Sequence, residues 1–195
     1  MKQKTLAVML LVAALPGVAD GLHAASPRAL PPHVHGQAVL DIAKDGGALE
    51  VSLHAPGMGI LDFEHPPADP RQAQAVADAL RTLGSPGWLH LTTDPAGGCV
   101  LASATAEAPG FEAATALAPA ARSAPDQQDE VHEHRHAEFQ ANYRYACSNG
   151  TTLSSIGVDL LATFPSLHRV VVNVATESGQ VQRVLESGAR QVPLQ

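Results

Sequence analysis

Apolar residues recur at every second position through much of the chain, the pattern imposed by a half-buried strand, in which successive side chains point to opposite faces. Ala38, Leu40 and Ile42 share one face of a run over 37–43, and Leu49, Val51 and Leu53 share one face of a run over 48–55. Asp45-Gly46-Gly47 between them supplies residues that tolerate positive φ, so the pair is expected to form a β-hairpin with one buried face. A third run is stricter: Phe139, Ala141, Tyr143, Tyr145 and Cys147 alternate with Glu138, Gln140, Asn142 and Arg144. Residues 88–92 and 99–105 read as a strand pair around Asp94-Pro95-Ala96-Gly97-Gly98, and 151–156 as a further strand. A final hairpin is expected from 168–175 and 180–187 through Thr176-Glu177-Ser178-Gly179.

One stretch changes period. Ala73, Val76, Ala77, Leu80 and Leu83 fall at helical spacing, with Asp69 placed as N-cap, Pro70 in the first turn and Gly84 beyond the end. This predicts an amphipathic helix whose apolar stripe packs on a sheet. Residues 56–69 ahead of it read as a loop, and 158–163 as a short helix. The expected class is therefore α+β, with antiparallel hairpins packed against one or two helices. Segments 33–106 and 138–190 follow a loosely similar plan without a residue-level repeat, which leaves two similar halves open as an alternative. Between them, 107–137 is expected to be a flexible, disordered His/Ala/Pro-rich linker.

The N-terminus adds a destination. Lys2 and Lys4 precede an apolar run over 6–15, followed by Pro16, Gly17 and small residues. Residues 1–24 thus read as a secretory signal peptide, with a core too short to span a bilayer and cleavage expected between Ala19 and Ala25. No cysteine lies there to carry a lipid, so the expected mature form is exported and not inserted in a membrane. Without the two signal lysines, the 12 basic residues fall to 10 against 19 acidic, a balance near −9, or −8 once Asp20 leaves with the signal. That charge opposes binding to nucleic acid or anionic membrane and attracts cations, although it also serves solubility alone. Cys99 and Cys147 are the only cysteines. In an oxidising compartment they are expected to form a disulfide, closing a loop of about 49 residues worth roughly 4 kcal/mol in the chain-entropy model.

Of the 10 histidines, the clustered ones carry information. His132, His134 and His136 stand at alternate positions among Glu130, Glu133 and Glu138, just ahead of the strictest strand. In extended backbone they share a face and can present imidazoles to one ion. His33 and His35 repeat that spacing, and Glu64 adjoins His65. Nitrogen and carboxylate donors suit Zn²⁺, and also Cu(II) and Ni(II). His54, His90 and His168 read as ordinary strand-associated residues, and His23 leaves with the signal. The segment His132 to His136 also matches H-E-x-x-H, in which two histidines one helical turn apart hold zinc and the glutamate is general base. That motif needs a helix, whereas the residues before it are rich in Pro, Gln and Asp and those after it alternate. No G-x-S-x-G and no Gly-rich phosphate loop is present.

His33-Val34-His35-Gly36 opening the first strand, Phe63-Glu64-His65, the His/acid-rich central stretch, and His136-Ala137-Glu138-Phe139 leading to Tyr143, Tyr145 and Cys147 together resemble the zinc-regulated, ZrgA-type periplasmic proteins of Gram-negative bacteria. The resemblance covers nearly the whole mature chain. It implies zinc binding in the periplasm and delivery of zinc to an import system, with His33, His35, Glu64, His65 and the central histidines carried over. The central stretch is short for this family, which implies one or two ions per chain and not high-capacity storage. The resulting expectation is a non-enzymatic zinc-binding protein whose metal ligands come from His33, His35, Glu64, His65, His132, His134, His136 and Glu138. Its expected partners are the zinc ion and the substrate-binding protein of a zinc ABC transporter. The alternatives are a zinc-dependent hydrolase using Glu133, and an interaction module that binds no metal.

Overall fold

Register between distant strands, more than local pattern, decides how the alternating runs assemble. The computed structural model describes residues 34–112, 136–186 and 188–194. The expected signal segment, His33, His132, His134 and most of the expected linker lie outside the described residues. Strands β1 (Gln37–Asp45) and β2 (Ala48–Pro56) form the expected first hairpin, followed by helices α1 (Gly57–Leu61) and α2 (Pro70–Leu83). Then come β3 (Leu89–Asp94), β4 (Cys99–Glu107), β5 (Glu138–Cys147), β6 (Thr152–Val158), α3 (Leu160–Thr163), β7 (Arg169–Thr176), β8 (Gly179–Leu185) and β9 (Gln191–Pro193). A six-stranded sheet has the order β4-β5-β2-β1-β7-β8, and a three-stranded sheet the order β3-β6-β9.

This corrects the expected α+β class. Half of the described residues are in strands and 17% in helices, so the protein is mostly β, and only α2 runs for several turns. Nor is the large sheet a set of antiparallel hairpins. β1 pairs in parallel with β7, which makes it mixed, and each sheet combines strands from before and after residues 113–135. The expected pair of β3 with β4 also fails, because β3 joins β6 and β4 joins β5. Short, weakly apolar strands carry too little pattern to choose a partner locally. Here the choice is made by matched apolar residues, such as Leu89 opposite Val158 and the half-buried Leu91 opposite Ile156.

The stronger local patterns survive. Leu40 lies opposite Leu53 on one side and Val172 on the other, and Val51 lies opposite Tyr143, so the inward residues of four strands form one buried face. The side chain of Asp69 accepts from the backbone N–H groups of Arg71 and Gln72, capping α2 as expected. Its buried stripe is Val76, Ala79 and Leu83, with Ala73 and Ala77 left exposed. Tyr143 fastens α2 to the sheet: its hydroxyl donates to the Leu83 carbonyl at 2.6 Å and its ring meets Trp88 edge-on. Burial, with a smaller push from Tyr145, raises the Tyr143 hydroxyl well above the usual phenol range, so it stays a donor. Among the described residues no helix is long and apolar enough to cross a membrane.

At the sheet edge Cys99 and Cys147 face one another and are joined by a disulfide across 48 positions of sequence. β5 has ten residues, so the bridge lies about 30 Å along the strand from its start. Replacing both cysteines by serine should therefore lower stability by about 4 kcal/mol in urea denaturation.

Candidate metal centre

β2 runs antiparallel to β1 and to β5, and β1 runs parallel to β7. One end of the large sheet therefore gathers the end of β2 with the starts of β1, β5 and β7. The sequence sets histidines or acids just outside each of those strand ends: His35 before β1, Glu64 and His65 beyond β2 and α1, His136 before β5, and His168 before β7. Residues separated by more than a hundred positions thus converge through topology alone.

The local structure then aims Glu64. Helix α1, in a stretch expected to be a loop, ends at Asp62 with φ 63°, a left-handed cap that reverses the chain. Phe63 beyond it meets Phe111 edge-on, and Phe111 leans on the buried Phe139 of β5. Those aromatic contacts seat the loop. The backbone completes the joint: the Gly57 N–H donates to the Ala137 carbonyl at 2.8 Å, and the Ala137 N–H donates to the Glu64 carbonyl at 3.4 Å. Gly57 has to be glycine, since an added Cβ would lie 2.6 Å from the Phe63 carbonyl oxygen and 3.0 Å from that of Ala137.

Glu64 receives both imidazoles. His35 Nε2 and His136 Nδ1 each lie 3.0 Å from Glu64 Oε1, donating N–H to the carboxylate. The Glu64 side chain is only 16% exposed against 62% for His35 and 53% for His136. Its second oxygen, Oε2, is buried and has no hydrogen-bond partner among the described residues. A buried carboxylate oxygen without a partner costs about 1–3 kcal/mol or more, a cost that a cation removes. His65 donates Nδ1–H to the Pro66 carbonyl at 2.8 Å and lays its ring by Phe63, which leaves Nε2 as the lone-pair nitrogen. Glu138 opens β5 opposite Pro56 and accepts from Gln140 Nε2.

As they stand, no three His, Cys, Asp or Glu side chains among the described residues are arranged to hold a metal. The arrangement at Glu64 is a hydrogen-bonded one, with two nitrogens on one oxygen. Yet nitrogen and oxygen ligands of tetrahedral zinc, at about 2.0–2.2 Å from the ion, lie roughly 3.3 Å apart. The observed 3.0 Å contacts are thus a few tenths of an ångström from ligand spacing, and the spare Oε2 adds donor capacity. Two imidazoles and a carboxylate are donor types that zinc takes. His136, the last position of the H-E-x-x-H match, lies in a non-helical lead-in to β5, while the positions before it lie outside the described residues.

The fold is that of a mostly-β protein whose large sheet brings two imidazoles onto one carboxylate at one end. Residues 32–194 match the family described as ZrgA family zinc uptake protein, and the chain belongs to that family. No curated protein matches it. Sequence reading placed His35, Glu64 and His136 among the ligands but missed what holds them: α1, the Phe63–Phe111–Phe139 stack and the Gly57 joint. It read His168 as an ordinary strand-associated residue, and the parallel pairing of β1 with β7 sets that residue's backbone beside Gly36.

Proposed function

We propose that the protein is a non-enzymatic periplasmic zinc carrier. It takes Zn²⁺ as cargo from the exported compartment at His35, Glu64 and His136, and yields it by ligand exchange to the substrate-binding protein of a zinc importer. His33, two residues before His35, and His132 and His134, four and two residues before His136, supply further imidazoles that exchange with the ion. The observation that carries this reading is the buried Glu64 carboxylate, bonded by imidazoles from two separate strand starts and keeping one oxygen unpartnered among the described residues. Both imidazoles are more than half exposed, so the ligands of an acceptor can reach the ion from solvent. Transfer by ligand exchange requires that access.

Calorimetric titration with zinc tests the proposal on the mature, disulfide-intact protein. The parent should bind tightly, His136→Ala should lose the tight site, and the pair His132→Ala with His134→Ala should keep it. A parent that binds no zinc above a micromolar background sinks the reading. Retention by His136→Ala with loss in the His132/His134 pair would move the site out to the central stretch.

A further inference from the structure

Tetrahedral zinc takes four ligands, and the Glu64 group accounts for three residues. We infer that His168 supplies a fourth donor to this site, an inference that rests on the zinc reading above. Its backbone is tied beside the turn that carries His35: the Gly36 carbonyl accepts from the N–H of His168 at 2.8 Å and from that of Arg169 at 3.1 Å. That turn closes with the Gln37 N–H donating to the Val34 carbonyl at 3.0 Å, and Gly36 in it has φ +71°. The His168 ring occupies the space that a side chain on Gly36 would need, with its Cδ2 3.0 Å and its Cγ 3.7 Å from the position of an added Cβ. Glycine at 36 thus serves both the turn and the imidazole laid against it. The same corner is closed from below by α1, where a Cβ on Gly59 would meet Leu167 at 2.7 Å and the Gly36 Cα at 3.8 Å. α1 is the helix that leads into the Glu64 loop, so one packed corner holds the backbones of His35 and His168 and the approach to Glu64.

The His168 ring is exposed and makes no hydrogen bond among the described residues, which leaves its nitrogens free for an ion. The other exposed histidine with a comparable setting, His90, is committed to Asp159 at 3.1 Å on the smaller sheet. Arg169, the nearest cation in sequence, is directed to Glu186 at 3.9 Å. Among the described residues, then, no hydrogen bond or ion pair engages the imidazole of His168.

The test uses zinc titration and cobalt(II) as a spectroscopic substitute on the full mature protein. His168→Ala should weaken zinc binding by at least about tenfold, since loss even of a partner that only orients a ligand costs about 10–100-fold. His168→Cys should bind cobalt with a thiolate-to-cobalt charge-transfer band, whereas His90→Cys should show none. His168 is exposed, so neither change disturbs the core. Unchanged affinity in His168→Ala, or absence of the band in a His168→Cys protein that still binds cobalt, overturns the assignment and leaves the Glu64 centre standing. A loss confined to His65→Ala makes His65 the fourth donor instead. A parent that binds neither ion defeats the zinc reading itself, and this inference with it.

Discussion

Glu64→Gln should lower zinc affinity by about 100-fold, roughly 2.7 kcal/mol, while leaving the metal-free protein no less stable than the parent. The carboxylate is the single anionic group on which His35 and His136 meet, so its charge is lost to the ion although an amide oxygen can still accept an imidazole N–H. In the absence of metal the balance runs the other way. Glu64 is largely buried with Oε2 unpartnered among the described residues, and a neutral amide costs less to bury than a carboxylate. Thermal melts with and without zinc separate the two effects. At a zinc concentration a hundred times its dissociation constant the parent gains about 2.7 kcal/mol of stability by mass action, and the variant should gain well under 1. A variant whose melting rises with zinc as much as the parent's does would remove Glu64 from the site.

The legible part of this molecule was what short-range patterns encode. Alternation over the first hairpin and over Phe139 to Tyr145 placed three strands and their buried faces, and Asp69-Pro70 placed a helix start, because each is a local constraint on backbone and burial. The mixed sheet was not legible: that β7 lies parallel to β1 follows from matching Ala38, Leu40 and Ile42 to Val170, Val172 and Val174 across more than a hundred residues. No local window contains that match. The site divides along the same line. His35, Glu64 and His136 stood out by residue type and spacing, whereas the means of bringing them together lies in the parallel pairing and in a one-turn helix too short to show a period. The class was misjudged in its balance: the strands and the one strong helical stripe were expected, but strands that fill half of the described residues were given no more weight than that single helix.

Gly57→Ala should destabilise the protein by about 3 kcal/mol and weaken zinc binding about tenfold, although residue 57 carries no chemistry. An added methyl would stand 2.6 Å from the Phe63 carbonyl oxygen, 2.6 Å from Phe111 Cζ and 3.0 Å from the Ala137 carbonyl oxygen. Two of those neighbours are backbone atoms that no rotamer change can clear, so the Phe63 loop, the Ala137 strand start or α1 itself must move. Phe63 precedes Glu64 and Ala137 follows His136, which means that any relief separates the two sides of the site. Ligands must be held to within about 0.5 Å for a centre of this kind, and the required displacement is of that order. Gly87→Ala is the control, since an added Cβ there meets nothing within 4 Å. It should leave zinc binding intact and stability unchanged or slightly raised, as expected when glycine is replaced without strain. Urea denaturation and zinc titration of both variants decide the matter. If Gly57→Ala matches Gly87→Ala in both, the joint at Gly57 does not position Glu64 and His136, and their approach depends on the strand register alone.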